Sequence, residues 1–89
     1  MTLIDGAARA LTASQGGLLW EDLDADARDC ARESVRAVLK GLRDPDVRMA
    51  QAGAEIIRNV GPAESWEAHL NDAQNVWRFM VDTLLEEAA

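Results

Sequence analysis

The chain has 89 residues, a formal net charge of -7 at neutral pH and an apolar fraction of 48%. This length allows one domain with a single core of modest stability. The acidity argues against direct binding of nucleic acid, because phosphate contacts need a cationic surface. Tyr is absent, Phe occurs once and Pro twice, which argues against a strand-and-turn protein. Composition therefore predicts an all-α protein with a basic protein as its partner.

Cysteine content and the lengths of apolar segments indicate the cellular compartment. Cys30 is the one cysteine, so the chain forms no internal disulfide and does not call for an oxidising environment. No stretch approaches the 18 or so consecutive apolar residues of a membrane span, and the first residues lack the basic-then-apolar order of a signal peptide. We therefore expect a cytoplasmic protein that does not associate with membranes.

Two helices are predicted in the first half of the chain. Apolar residues at helical spacing behind Thr2, a suitable N-cap, predict a helix over residues 3–14 that stops at residues 15–17. A second helix begins at Trp20 or at Asp24 and reaches about residue 42, with acids in its first turn that suit the helix dipole. Cys30 lies on its predicted apolar face, where a thiol behaves as a small buried hydrophobe.

Two further helices are predicted in the second half. Asp44 and Pro45 indicate an N-cap followed by a first-turn proline, so a third helix begins there and ends at residues 61–62. Gly53 in its middle predicts a close crossing with another helix, since glycine otherwise costs about 1 kcal/mol at such a position. The fourth helix begins near Ala63 or near Asp72. Its apolar seam, at alternating steps of four and three, comprises Trp66, Leu70, Ala73, Trp77, Met80 and Leu84.

Residues 1–43 and 47–89 align as two copies of one unit under a constant shift of 46, with eight identities in 43 pairs. Trp20 then corresponds to Trp66, and both are expected to pack in the core. If either side chain is exposed instead, it becomes a candidate interface residue. The alignment predicts a compact four-helix bundle, built from two repeated helix-loop-helix units within a single domain, residues 1–89.

Acidic residues supply most of the candidate partner-binding positions. Residues 44–89 carry nine acids and three bases, so the second half is the better candidate for meeting a basic partner. Phe79 is the preferred exposed aromatic, because it lies about 200° around the helix from Trp77. In the first half, three aspartates are expected to share one face of the second helix. The candidate partner-binding residues are Asp22, Asp26, Asp29, Glu64, Glu67, Asp72, Phe79 and Asp82.

Two alternatives concern the start of the second helix. A basic stripe follows the aspartates at four-residue spacing, and it is either solvated surface or a docking surface: Arg28, Arg32, Arg36 and Lys40. The acids from Asp22 to Glu33 also match the ligand spacing of a calcium loop. However, Ala27 replaces the glycine that the sixth position of such a loop needs, which favours an acid-rich helix start.

Catalysis has little support in the sequence. His69 is the only histidine and has no nucleophile at a recognisable spacing. One Cys and one His cannot provide a four-ligand zinc site within one chain. We therefore expect neither an enzyme nor a bound cofactor or metal. An enzyme would need a pocket around His69 lined by ordered acids.

The chain resembles small helical proteins of proteobacteria and their phages or prophages. The resemblance is carried by Ala52-Gly53-Ala54, by Trp66 about a dozen residues later, by Leu42-Arg43-Asp44-Pro45 and by the terminal Leu84-Leu85-Glu86-Glu87. It implies a phage or mobile-element protein acting inside a bacterial host cell. Small acidic proteins in that setting often bind larger host or phage proteins, and inhibitors of CRISPR defence are one such group.

Two functional hypotheses follow. The first is a non-enzymatic interaction protein that binds a larger basic host protein, such as a CRISPR or other nucleic-acid-processing defence complex, with inhibition of that protein as the expected consequence. The alternative is a structural or assembly accessory protein that self-associates, for example as a homodimer, through Phe79 and the apolar edges of the third helix.

Overall fold

The computed structural model describes residues 2–16 and 18–86. Within these ranges the chain forms α-helices and one short 3-10 turn and no strand, so the predicted all-α class is confirmed. The elements are α1 (Leu3–Ser14), the 3-10 turn (Trp20–Asp22), α2 (Ala25–Gly41), α3 (Val47–Val60) and α4 (Trp66–Leu85). The predicted stop at Gly17 and an extension of the last helix to Glu87 lie outside the described residues. No helix in residues 2–16 and 18–86 combines the length and the apolar character needed to cross a membrane.

Each of the four α-helices begins with a side-chain cap that accepts a hydrogen bond from a backbone N–H three residues on. The pairs are Thr2 with Asp5 (3.1 Å), Asp24 with Ala27 (2.8 Å), Asp46 with Met49 (2.9 Å) and Ser65 with Ala68 (3.1 Å). The caps decide two questions that sequence periodicity left open, since α2 starts after Asp24 and α4 starts after Ser65.

The predicted cap of α3 is wrong by two residues. Asp46 caps the helix, whereas Asp44 accepts a hydrogen bond from Arg78 Nε at 3.0 Å. Asp44 and Pro45 therefore precede the helix. A contact between residues 34 positions apart, which local spacing does not reveal, explains why the first of two similar aspartates is used elsewhere.

The end of α1 follows from one glycine. Gly16 has φ +74, in the left-handed region that residues with a Cβ rarely adopt, and it comes directly after the C-cap residue Gln15. Its backbone N–H donates to the carbonyl of Ala13 at 3.3 Å, which satisfies one of the free carbonyls of the last turn. The predicted stop after residue 14 is therefore confirmed.

The chain divides into two compact units, unit 1 (Met1–Gly41 and Thr83–Ala89) and unit 2 (Leu42–Asp82). In unit 1, α1 packs on α2 and buries Ile4 and Ala8. Thr12 is buried on the same side of α1, and its hydroxyl donates to the carbonyl of Ala8 at 3.0 Å. The buried hydroxyl of Thr12 therefore has a hydrogen-bond partner, as buried polar groups generally do.

In unit 2, α3 and α4 approach closely at Gly53. A Cβ built on Gly53 would lie 2.9 Å from the Cβ of Ala73, nearer than real Cβ atoms come. The close crossing predicted at Gly53 is therefore confirmed. Ala50 and Ala54 on α3 are buried beside it, so small side chains occupy the contact.

The segment before α3 is attached to α4 by side-chain hydrogen bonds. Trp77 Nε1 donates to the carbonyl of Leu42 at 2.7 Å. Arg43 donates to both carboxylate oxygens of Asp82, at 2.8 and 3.1 Å. Together with the bond from Arg78 to Asp44, these contacts fix residues 42–44 along one side of α4.

The buried apolar residues are fewer and smaller than the composition suggests. Among the described residues they are Ile4, Ala8, Trp20, Ala50, Ala54, Ala73 and Val81. Four of these seven are alanine, which contributes little buried area. Much of the remaining apolar surface therefore stays accessible to solvent, and its distribution positions the candidate site.

Candidate interaction surface

Exposed large apolar side chains are concentrated in unit 2. Thirteen such residues are exposed in the described part of the chain, and nine of them belong to unit 2. The nine are Leu42, Val47, Met49, Ile56, Val60, Trp66, Val76, Phe79 and Met80. The four in unit 1 are Leu3, Leu18, Leu19 and Val38. Single exposed apolar residues are ordinary, whereas several that share one helix face indicate a binding surface.

One edge of α3 carries three of the nine. Met49, Ile56 and Val60 follow one another at steps of seven and four, so they lie along one side of the helix. Val60 is 85% exposed and Ile56 is 70% exposed. The structure therefore leaves the large residues of this edge uncovered.

Between this edge and α4 lies a groove of about 180 Å³, here called the α3–α4 groove. It is lined by Pro45, Met49, Ala50, Gly53, Ala73, Val76, Trp77 and Met80. Every lining residue is apolar or glycine, and Gly53 and Ala73 mark a close approach of the two helices. Met49, Val76 and Met80 are exposed at its sides. The arrangement can accept an apolar side chain but contains no group that could perform acid-base chemistry.

Phe79 is 70% exposed, which confirms the expectation from the sequence. It follows Asp72 by seven residues and precedes Asp82 by three, so the three residues share the outer side of α4. Asp72 is exposed. Asp82 is half-buried, and its hydrogen bonds from Arg43 hold the pKa of the Asp82 carboxyl below its ordinary value of 3.8. Asp72 and Phe79 are therefore the accessible members, while Asp82 also holds the fold of unit 2.

The other two acids proposed for the second half lie elsewhere in unit 2. Glu64 is exposed in the turn before α4, and Glu67 is exposed in its first turn. Glu67 precedes Asp72 by five residues, which places the two on different sides of the helix. The structure thus brings Asp72 and Phe79 onto one face and leaves Glu64 and Glu67 apart from them.

The three aspartates of the first half do not share one helical face, and this prediction is wrong for Asp22. Asp22 ends the 3-10 turn, the following residue Leu23 is extended, and Asp24 then caps α2. Asp26 and Asp29 are exposed on the first turns of α2, three residues apart. Asp29 accepts a hydrogen bond from Arg32 at 2.8 Å.

The basic stripe of α2 belongs to the fold of unit 1. Arg9, Arg28 and Arg32 surround the ring of Trp20, with guanidinium carbons 5.4 to 5.6 Å from its centroid. Such cation–π contacts contribute about 0.5–1 kcal/mol at exposed sites and more when desolvated. Trp20 is 7% exposed, so its predicted packing in the core is confirmed.

Hydrogen bonds hold two of these arginines in place. Arg28 donates to the backbone carbonyls of Trp20 (3.1 Å) and Glu21 (3.3 Å). Arg32 donates to the carboxylate of Asp5 at 2.6 Å, and this bond lowers the pKa of Asp5 from its ordinary value of 3.8. Of the two interpretations of the stripe, solvated surface or docking surface, neither describes Arg28 and Arg32, which pack on Trp20 instead.

Trp66, the repeat counterpart of Trp20, has different surroundings. It is 39% exposed, and the guanidinium carbon of Arg58 lies 5.7 Å from its ring centroid. The expected core packing is therefore wrong for Trp66. The reason is local: residue 66 is already the first residue of α4, whereas Trp20 lies in a 3-10 turn that folds back beneath the arginines of α1 and α2.

The start of α2 is helical, as the acid-rich helix start predicts, whereas the expected burial of Cys30 is wrong. Residues 25–33 are helical, which leaves no calcium loop, and no group of three or more His, Cys, Asp or Glu side chains suited to a metal ion occurs in the described ranges. Cys30 is exposed rather than buried. The side of α2 that is partly covered carries Ala27, Ala31 and Val35, which lie roughly 60° to 140° around the helix from Cys30.

His69 is 1% exposed, and neither of its ring nitrogens has a hydrogen-bond partner among the described residues. The enzyme hypothesis requires a pocket around this imidazole with ordered acids. His69 is not among the residues that line the α3–α4 groove, and no described carboxylate is hydrogen-bonded to it. Its position therefore gives catalysis no support.

Comparisons of the chain with protein-family models, with curated proteins and with solved structures give no match. The functional assignment therefore depends on the surface of the chain itself. The sequence predicted the exposure of Phe79 but did not indicate the groove, because Met80 was assigned to the packed seam of α4. The available signal was the width of the apolar side of α3 and α4, which exceeds what one neighbouring helix covers.

Proposed function

We propose that this protein is a non-enzymatic interaction protein that binds a larger basic protein through the exposed surface of unit 2. The observation that carries the proposal is the concentration there of nine exposed large apolar residues. Covering such residues on association provides hydrophobic free energy, and aromatic and methionine side chains are enriched at interfaces. Phe79 is the natural anchor because it is the exposed aromatic on the outer side of α4.

The charge of unit 2 supports a basic partner. Unit 2 contains seven acids and four arginines. Three of the arginines are paired within the unit: Arg43 with Asp82, Arg58 with Glu55 and Arg78 with Asp44. Four acids have no arginine or lysine within salt-bridge distance in the described part of the chain: Asp46, Glu64, Glu67 and Asp72. Uncompensated acids around an apolar surface favour and orient a cationic partner.

The class of partner follows from the resemblance to proteins of proteobacteria and their phages. A nucleic-acid-processing defence complex of a bacterial host, such as a CRISPR effector, presents basic surfaces that hold nucleic acid. An acidic protein bound there competes with the phosphates for the same cations. In this proposal the protein acts inside the host cell and binding inhibits the complex.

The test is binding to purified CRISPR effector complexes, measured by biolayer interferometry at low and at physiological salt. We expect binding that weakens as salt increases, and that weakens further in Phe79→Ser and Asp72→Asn. Leu3→Ser is the matched control, because Leu3 is equally exposed but belongs to unit 1. Failure to bind any of the complexes would sink the proposed partner class.

Self-association is the second candidate, and the exposure of Phe79 together with the α3 edge favours it. In this case the protein is an assembly accessory whose copies cover one another's unit 2. Sedimentation velocity over a wide range of concentrations decides between the two. A mass that rises with concentration, and that Phe79→Ser returns to that of a monomer, supports self-association, whereas a monomer throughout excludes it.

A further inference from the structure

We propose that the α3–α4 groove seats an amphipathic α-helix of the partner, apolar on one side and flanked by lysine or arginine. The inference rests on the proposed function and names the element that the surface of unit 2 recognises. It follows from three observations: the walls of the groove, the length of the exposed α3 edge that adjoins it, and the charges beside it.

The walls of the groove suit a helix rather than a flat surface. α3 and α4 form its two sides, and the contact between Gly53 and Ala73 marks its floor. Met49 and Met80 are exposed at its sides. Methionine side chains adapt to the shape of a bound apolar residue, and grooves lined by them are typical of surfaces that take the apolar side of a helix.

The length of the adjoining apolar edge fits about three helical turns. From Met49 to Val60 the exposed edge of α3 spans eleven steps of the chain, which corresponds to about 16 Å along the helix axis. Ile56 lies between them on the same side. A partner helix with apolar residues at i, i+4, i+7 and i+11 covers this edge with one side chain per turn.

The charges beside the groove select a basic helix. Asp46 immediately precedes α3, and Asp72 lies on α4 one residue before the floor residue Ala73. Both are exposed, and neither is paired with an arginine or lysine in the described ranges. Arg48 has no salt bridge with any described residue and lies about a quarter turn from Met49, on the side of α3 turned away from the groove.

The same charges argue against a second copy of this chain as the occupant. Two copies joined groove to groove would bring Asp46 and Asp72 of one near those of the other, and like charges across an interface oppose association. A partner helix with lysine or arginine on its flanks instead neutralises these two carboxylates. The geometry therefore favours a partner of opposite charge.

The probe is a synthetic 18-residue helical peptide built from Leu, Ala and Lys with its leucines on one side, titrated by isothermal calorimetry. A twin peptide in which Glu replaces every Lys tests the charge requirement. We expect the Lys peptide to bind in a one-to-one ratio and the Glu peptide not to bind. We also expect binding of the Lys peptide to weaken as salt increases, because the acids beside the groove are solvent-exposed.

Variants locate the binding site. In M49S/M80S the sides of the groove are polar, and we expect the Lys peptide to bind at least about ten-fold more weakly, since two anchors are lost. In Asp72→Asn we expect about a two- to five-fold loss and a shallower salt dependence. L3S/V38S is the matched control, because it removes two exposed apolar side chains from unit 1, and we expect its affinity to be unchanged. Far-ultraviolet circular dichroism verifies that every variant is folded.

Binding of the Lys peptide that M49S/M80S does not weaken overturns the groove as the site, while leaving a basic partner in place. Binding of a basic effector complex without binding of the Lys peptide overturns the helix but not the proposed function. If neither binds, both proposals fail. A dimer that M49S/M80S dissociates would show that a second copy occupies the groove, which overturns the inference.

Discussion

Units 1 and 2 use similar residues for opposite purposes. Trp20 in unit 1 is buried beneath three arginines, whereas its repeat counterpart Trp66 in unit 2 is 39% exposed with one arginine beside it. Arg32 and its counterpart Arg78 differ in the same way. Arg32 pairs with Asp5 of α1, while Arg78 pairs with Asp44 of the segment before α3. Arg32 thus helps to cover an aromatic ring, whereas Arg78 attaches a chain segment to α4.

The difference explains where exposed apolar surface remains. In unit 1 the arginine stems and guanidinium groups shield Trp20, and four large apolar residues of the described chain are left exposed. In unit 2 the α3 edge stays exposed, and nine large apolar residues of the described chain are accessible to solvent. Equivalent positions do agree in one respect, since Ala8 and Ala54 are both fully buried. The repeat itself stays a prediction, and the contrast in exposure supports our proposal that unit 2 provides the binding surface.

Replacing each tryptophan by alanine tests this division with the largest expected effect. Trp20→Ala removes a buried ring and should lower the free energy of unfolding by about 3–5 kcal/mol. Trp66→Ala loses a half-exposed ring with one cation–π contact and should cost about 1 kcal/mol. Urea denaturation followed by circular dichroism measures both.

Trp20→Phe keeps the comparison informative if Trp20→Ala does not fold. It retains an aromatic ring among the arginines and should cost less than the alanine variant. Equal losses for the two Trp→Ala variants would show that the units do not differ in the way described.

The crossing of α3 and α4 gives the next effect. Gly53→Leu places a side chain where Ala73 already lies within 2.9 Å of a Cβ, so we expect a loss of roughly 1–3 kcal/mol from overpacking. Gly6→Ala in α1 is the control, because a Cβ there meets no atom within 4 Å. It should stabilise the protein by about 0.5–1 kcal/mol through helix propensity. A Gly53→Leu variant as stable as the wild type would contradict the close crossing.

His69 offers a change in the stabilising direction. Its imidazole is buried without a hydrogen-bond partner in the described part of the chain, and burial of an unsatisfied polar group costs about 1–3 kcal/mol. His69→Leu should therefore raise the free energy of unfolding by about 1 kcal/mol, as measured by urea denaturation. A destabilised His69→Leu would indicate that the imidazole has a role that the structure does not reveal.

Acidification gives the smallest expected effect on the free energy of unfolding. The pKa values of Asp5 and Asp82 are lowered by hydrogen bonds from Arg32 and Arg43. A carboxyl whose pKa is lower in the folded state stabilises the fold above its unfolded pKa, and the contribution disappears as the pH falls through its folded pKa. Each unit has one such pair, so stability should decrease as the pH drops below about 4, near the ordinary value of 3.8.

Melting temperatures of Asp5→Asn and Asp82→Asn from pH 7 to acid check this expectation. At neutral pH each variant should melt at a lower temperature than the wild type. In acid the two melting temperatures should converge, because the carboxyl of the wild type is then protonated and no longer pairs with the arginine as an anion. A constant difference over the whole range would show that the ion pairs do not contribute through their charge.

Local signals in the sequence accounted for most of the fold. The spacing of apolar residues and the caps Thr2 and Gly16 located α1, and Gly53 predicted the close crossing of α3 and α4. The hydrogen bond from Arg78 to Asp44 and the cation–π contacts of three arginines with Trp20 join residues that are distant in sequence. Local sequence patterns do not contain such contacts. For the same reason the sequence identified Phe79 and Asp72 but not the groove, since periodicity shows which residues are apolar and not how many a single neighbour covers.

Backbone amide chemical shifts of ¹⁵N-labelled protein during titration with the Lys peptide test the central claim most directly. Binding in unit 2 predicts that the largest changes fall on Met49, Gly53, Ile56, Val76, Phe79 and Met80. The amides of α1 and the first turns of α2 should be unaffected. Changes centred on residues 3–41, or changes spread evenly over both units, would contradict the assignment of binding to the α3–α4 groove.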